Sequence, residues 1–237
     1  MNLFTKNMVT SALDQWEMWN EIGVVARAEF LKVWADELYK SPELGAKCAK
    51  MALYQVQQAL HLISTEKSMP GPTGETNVLY TTGRGLFVVR MSIDAPFYGV
   101  IAHIASALVA GNCLILCLPK AHQILADKLL SSLILAGIPA SVVQVSTPEI
   151  SKVLMKTPLL AGVAYIGNEQ ECIDINRLLA SAPGSIVQLI SETDLDKLST
   201  LTDKHFILRY ITEKVRTINV TAVGGNAILL ELGNGDL

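Results

Sequence analysis

Residues 84 to 118, RGLFVVRMSIDAPFYGVIAHIASALVAGNCLILCL, decide the fold. The apolar run around LFVVRM reads as a strand. APFYGVIAHIASALVAGN follows as a helix that Gly111-Asn112 stops, and CLILCL over 113–118 reads as a second strand. The alternation continues towards the C-terminus. Residues 121–138 form an amphipathic helix ending at Ala136-Gly137, 141–145 a short strand and 148–158 a helix. Residues 160–167 are then a strand, 168–182 a helix and 185–190 a last strand. Strands alternating with helices imply right-handed βαβ units. The expected core is therefore a five-stranded, mainly parallel, Rossmann-like doubly wound sheet.

Towards the N-terminus, Trp16, Trp19, Phe30, Trp34 and Leu38 recur at helical spacing, so residues 11–63 hold two or three amphipathic helices. Ser41-Pro42 breaks the pattern, and Pro42 is expected to open the next helix as its first residue. The segment SMPGPTGETN, 68–77, reads as a loop. Beyond Asp194 the pattern is mixed, and then TINVTAVGGNAILLEL alternates about Gly224-Gly225, the signature of a hairpin. The expected organisation is a domain over 1–195, with a helical layer over 1–70, followed by a linker and hairpin arm over 196–237.

The 237 residues are half hydrophobic and carry a net charge of −3, with no basic cluster longer than a pair. A nucleic-acid surface is not expected. The N-terminus lacks the order of a secretory signal, and no apolar run approaches the roughly 20 residues of a membrane span, so the expected location is the cytoplasm. Cys48, Cys113, Cys117 and Cys172 show no CxxC spacing, which argues against disulfides and zinc.

The order of motifs resembles the aldehyde dehydrogenases, specifically the pyrroline-5-carboxylate (glutamate semialdehyde) dehydrogenase type of the bifunctional proline-utilisation flavoenzymes. The resemblance is carried by GPTGETN (71–77), RGLFVVRMSIDAPF (84–97), ASALVAGNCLI (105–115), LAGIPASVVQV (135–145), LAGVAYIGN (160–168) and SIVQLISET (185–193). The end, RYITEKVRTINVTAVGGNAILLELG (209–233), resembles the C-terminal motif of those enzymes. The family's catalytic domain would fall between Glu192 and this tail. The chain most resembles the truncated aldehyde-dehydrogenase-like domain that the long bifunctional enzymes carry after their active one.

The resemblance assigns roles that the residues meet unevenly. Glu192 takes the general-base position, but no cysteine follows it to act as the nucleophile. A structural role, closing the strand end with hydrogen bonds, competes for Glu192. Asp94 stands where the family's oxyanion-binding asparagine would be, and a carboxylate there repels developing negative charge. The lysine and glutamate that hold the cofactor ribose fall on Cys117 and Lys120. Gly167 and Asn168 retain a helix N-terminus able to bind an anion. NAD is thus expected weakly at most, and no other cofactor or metal. His103 reads as a satisfied, semi-buried histidine of the core.

What the resemblance implies is a non-catalytic lid or oligomerisation module in proline catabolism. The alternative is a residual NAD-dependent pyrroline-5-carboxylate dehydrogenase. In this superfamily a hairpin arm adds its edge to a neighbouring subunit's sheet. The matching residues are Val220, Gly224, Gly225, Asn226, Ile228 and Leu230, and the expected partner is a second copy or a bifunctional proline dehydrogenase/pyrroline-5-carboxylate dehydrogenase.

Overall fold

A computed structural model describes residues 3–219, so Val220, Gly224, Gly225, Asn226, Ile228 and Leu230 lie outside the described residues. Three helices come first: α1 (Leu3–Glu21), α2 (Gly23–Lys40) and α3 (Gly45–Leu62). Pro42 does not open α3 as expected. It lies in a turn in which the Ser41 hydroxyl accepts from the Leu44 N–H at 3.3 Å, and the helix begins at Gly45. The parallel sheet consists of β3 (Leu86–Met91), β4 (Cys113–Cys117), β5 (Val143–Ser146), β6 (Leu160–Ile166) and β7 (Gln188–Glu192), in the order β5-β4-β3-β6-β7. Its connections run through α4 (Phe97–Val109), α5 (Gln123–Leu135), α6 (Pro148–Leu154) and α7 (Glu169–Ala180).

The sheet is buried on both faces: every residue of β4 is buried, as are all of β3 but Arg90. Strands covered on both sides read as continuous apolar runs, which is why CLILC and LFVVRM look as they do. Helix α4 is apolar but for His103 and Ser106 because it lies between the sheet and α3, and Gly99 to Val109 are all buried. Each fully buried Leu or Ile there contributes about 1.5–3 kcal/mol. Gly111, at φ 96°, ends α4 in the left-handed conformation, and a Cβ there would meet Asn20 Oδ1 at 2.6 Å.

The helical layer is held to this body by a buried cation. Arg27 is 1 % exposed and donates to Val109 O at 2.9 Å, Trp19 O at 3.1 Å and Asn20 O at 2.6 Å. These carbonyls belong to the last turns of α1 and α4, where a cation is favoured and free acceptors need donors. Burial lowers the guanidinium to about 10, still charged at neutral pH.

A second, antiparallel sheet stands apart as an arm. It comprises β1 (Lys67–Met69), β2 (Glu75–Gly83) and β8 (Ile211–Asn219), in the order β1-β2-β8. The ladder between β2 and β8 is unbroken from Glu75↔Asn219 to Gly83↔Ile211. The loop expected over 68–77 is therefore interrupted by β1 and gives way to β2 at Glu75. Both strands enter the body beside Asn112. Its Oδ1 accepts from the N–H groups of Arg84 and Gly85 at 2.6 and 3.0 Å, and its Nδ2 donates to Ala107 O and Tyr210 O at 3.0 and 2.9 Å. His103 is fully buried rather than semi-buried, and its Nδ1 meets the Tyr210 hydroxyl at 2.6 Å.

Candidate functional site

The chain steps from β3 outward to β4 and β5, returns to β6 on the other side of β3, and moves on to β7. The strand order therefore reverses between β3 and β6, and open α/β sheets take ligands in the crevice outside the carboxyl ends at such a point. Here those ends supply Arg90 and Ser92 from β3 and Tyr165, Gly167 and Asn168 from β6. Asn168 caps α7, its Oδ1 accepting from the Glu171 N–H at 2.8 Å. That bond occupies one free donor of the helix N-terminus. Glu171 forms an ion pair with Arg90, and its other oxygen accepts from the Tyr165 hydroxyl at 3.1 Å. A cavity of about 360 Å³ opens alongside, between α6 and α7, with Lys152, Met155, Asp174 and Ile175 completing its wall.

The space over Gly167 is tight. A Cβ there would lie 2.3 Å from the Tyr165 hydroxyl and 2.6 Å from Ser92 Oγ, so the glycine is required by close approach. Ser92 Oγ and Arg90 Nε are buried without a hydrogen-bond partner. Asp94 is exposed in the turn before α4. Cys117 is buried at the end of β4, and burial pushes its thiol up to about 12, so it offers neither a thiolate nor a charged donor. Lys120 lies past the strand end at the surface, paired with Glu149 at 3.1 Å. The Glu149 carboxyl is held down to about 2, first by its own backbone N–H, then by Thr147 and Lys120.

Glu192 is 2 % exposed at the end of β7. One carboxylate oxygen accepts from Asp194 N at 2.9 Å, the other from Thr200 N at 2.7 Å and Leu201 N at 3.3 Å. These bonds fold residues 194–201 into a turn in which Leu198 takes φ 50°, a left-handed conformation costing about 1–2 kcal/mol in a non-glycine residue. The turn is tied to α3 next: Leu201 O accepts from Gln55 Nε2 at 2.7 Å and Thr202 O from the Tyr54 hydroxyl at 2.6 Å. Thr202, Tyr54, Tyr98, Met51, Lys47 and Lys50 line a largely apolar groove of about 440 Å³. The carboxylate thus shapes one wall of a groove without facing it. Among the described residues no group of three or more His, Cys, Asp or Glu could hold a metal ion.

A family model described as "Aldehyde dehydrogenase family" matches residues 43–193, more than half of the chain. The chain belongs to the aldehyde dehydrogenase family. Among curated proteins, it is 27% identical over 205 residues to the N-succinylglutamate 5-semialdehyde dehydrogenase of Novosphingobium aromaticivorans, covering 78% of this chain and 43% of that one. The corresponding enzyme of Sphingopyxis alaskensis is 23% identical over 194 residues, covering 73% and 40%. The chain therefore spans less than half the length of the curated relatives it matches. Among solved structures, it is similar to a proline utilization A protein with proline bound in remote sites, at TM-score 0.72 and 28% identity, over 80% of this chain and 22% of that one. A variant of the Bradyrhizobium japonicum proline utilization A protein matches at the same TM-score, identity and coverage.

As an aldehyde-dehydrogenase-family module, the chain brings together only some of the residues singled out from sequence. Gly167 and Asn168 meet in the crevice; Glu192 is turned into its own loop, Asp94 is exposed before α4, Lys120 is paired with Glu149 at the surface, and Cys117 is buried within electrostatic reach of Arg90. Arg90, Tyr165 and Glu171 were missed. Arg90 carried a signal, being the one charge inside the apolar run LFVVRM. Among the described residues no helix is long and apolar enough to cross a membrane.

Proposed function

We propose that the chain is a non-catalytic aldehyde-dehydrogenase-like module that acts as a lid or assembly unit in proline catabolism. The observation that carries this is Glu192: at the family's general-base position, its carboxylate is taken up by three backbone N–H groups of its own loop. A general base must reach the proton it abstracts, and this one is committed to closing a turn. Within residues 1–237 no cysteine follows Glu192 for it to serve. The likeness to proline utilization A proteins supports the setting.

The residues do not fit a tightly held NAD. At the ribose-binding positions stand the buried thiol of Cys117 and a surface lysine already paired with Glu149. The loss of two charged hydrogen bonds, roughly 1.5–3 kcal/mol each, weakens binding by roughly two to four orders of magnitude. Incubating the purified chain with NAD and glutamate semialdehyde is expected to yield no NADH. Steady NADH formation would restore the dehydrogenase reading. The partner is a second copy or a bifunctional proline dehydrogenase/pyrroline-5-carboxylate dehydrogenase, docked through the arm. Deleting residues 217–237 is expected to leave the parallel sheet folded and abolish association in sedimentation; unchanged assembly would remove the arm from the interface.

A further inference from the structure

Residues of the arm and of the body together line a pocket of about 240 Å³. Its lining combines apolar side chains and two threonines with His205, which faces Asp203 at 3.6 Å, and with the opposite charges of Lys67 and Glu213. We propose that this pocket binds a linear zwitterion, an ω-amino acid whose ammonium and carboxylate groups are separated by a short aliphatic chain. The proposal stands apart from the lid reading and uses neither Glu192 nor residues 217–237.

The strand register places the charges. Lys67 of β1 lies opposite Leu79 of β2, and Glu213 of β8 lies opposite Thr81. Residues opposite each other in an antiparallel ladder share a face, as do residues two apart along a strand. Lys67, Leu79, Thr81 and Glu213 therefore all stand on the arm face that lines the pocket. The body contributes Ile63 from the end of α3 and Leu208 from the 3₁₀ turn Phe206–Tyr210. Thr81 Oγ1 donates to Ile63 O at 3.3 Å and sets the distance between the two walls.

Lys67 and Glu213 flank β2 on opposite sides, staggered by two residues, with about 12 Å between their Cα atoms by strand spacing and rise. They form no ion pair with each other or with any other described residue. The charges thus stand at two ends of an apolar floor rather than against one another. A neutral ligand leaves both unmatched, and a simple acid or amine matches only one. An α-amino acid holds its charges too close together to use both ends, whereas an ω-amino acid lays its methylene chain over Leu79 and Leu208 and its charged groups on Glu213 and Lys67. Because both charged anchors are on the arm and much of the floor is on the body, the ligand would join the two.

The test is an amide chemical-shift titration of the full-length chain with 5-aminopentanoate, alongside its isomer L-valine, pentanoate and pentylamine. Saturable shifts confined to residues near 62–67, 79–81 and 205–213 are expected for 5-aminopentanoate, with the three comparators binding at least about tenfold more weakly, a difference of about 1.4 kcal/mol. Lys67→Ala and Glu213→Gln, both at exposed positions, should each weaken 5-aminopentanoate at least about tenfold while leaving the remaining spectrum unchanged. Absence of saturable shifts, equal binding of L-valine, or full retention of binding by either variant overturns the proposal.

Discussion

The parallel sheet and the arm differ in both composition and surroundings: CLILC of β4 is apolar throughout, whereas ITEKVRTIN of β8 is mostly polar and charged. Every residue of β4 is buried, whereas in β8 only Ile211 is. The parallel strands gain their stability from burial on both faces. The arm relies on its β2–β8 ladder and on its attachment at the root, and a two- or three-stranded ribbon with little covered area is marginal by itself. The difference teaches that the body carries the fold and the arm is left available to contact something else.

The comparison breaks first if core substitutions prove mild. Phe87 is fully buried in β3 with its ring centroid 5.1 Å from that of Tyr210, so Phe87→Ala should cost about 3–5 kcal/mol in urea unfolding. A loss below about 1 kcal/mol would mean that the body is not where stability resides.

Acid provides the next test. An imidazole ordinarily titrates at 6.5, and burial holds that of His103 down to about 3. Below pH 6.5 the unfolded chain takes up a proton that the folded chain refuses until about pH 3. This contribution is therefore complete above pH 6.5 and is lost on acidification towards 3, at about 1.4 kcal/mol per pH unit. Urea unfolding near neutrality and near pH 5 should show a steeper fall for the native chain than for His103→Gln. Equal slopes would assign the acid sensitivity elsewhere.

Glu192 sharpens the contrast within the body itself. Glu192→Gln turns an amide N–H₂ towards backbone donors, at a cost of about 1–3 kcal/mol. Hydrogen exchange should rise at residues 198–202 and stay slow in β3 and β4. If those strands open together with the loop, the carboxylate supports the whole sheet and not one turn. The smallest effect is expected in the arm: Ile218 is half exposed, and Ile218→Thr should change unfolding free energy by less than about 0.5 kcal/mol while weakening association in sedimentation.

The same contrast explains what could be read from the sequence. The parallel strands were legible because burial on both faces leaves CLILC without a polar residue and LFVVRM with Arg90 alone, and the helices between them end at Gly111 and Gly137 in left-handed conformations. Strand β2 was not, because ETNVLYTTG is half-buried on both faces, lacks alternation and pairs with β8 from the far end of the chain. Arg27 could not be anticipated either: its partners are backbone carbonyls, which leave no trace in residue identity. Asn112 was legible as a helix stop but not as the side chain joining α4, β3 and the root of β8. At the site, Gly167 and Asn168 were visible as a helix start, whereas the Arg90–Glu171–Tyr165 contacts join residues distant along the chain.

Asn112 also sets how force would travel through this molecule. Both long strands of the arm meet the body beside one carboxamide, so a partner that grips the arm and pulls away loads that side chain together with the short backbone link from Gly83 to β3. The Ala107 carbonyl it holds lies in the last turn of α4, so the tension would pass along the axis of the helix at the centre of the body. The root of the arm is thus a shared joint: Asn112, Asn20, whose Oδ1 accepts from the Gly83 N–H at 2.8 Å, and the backbone running from Gly83 into β3 carry the load together.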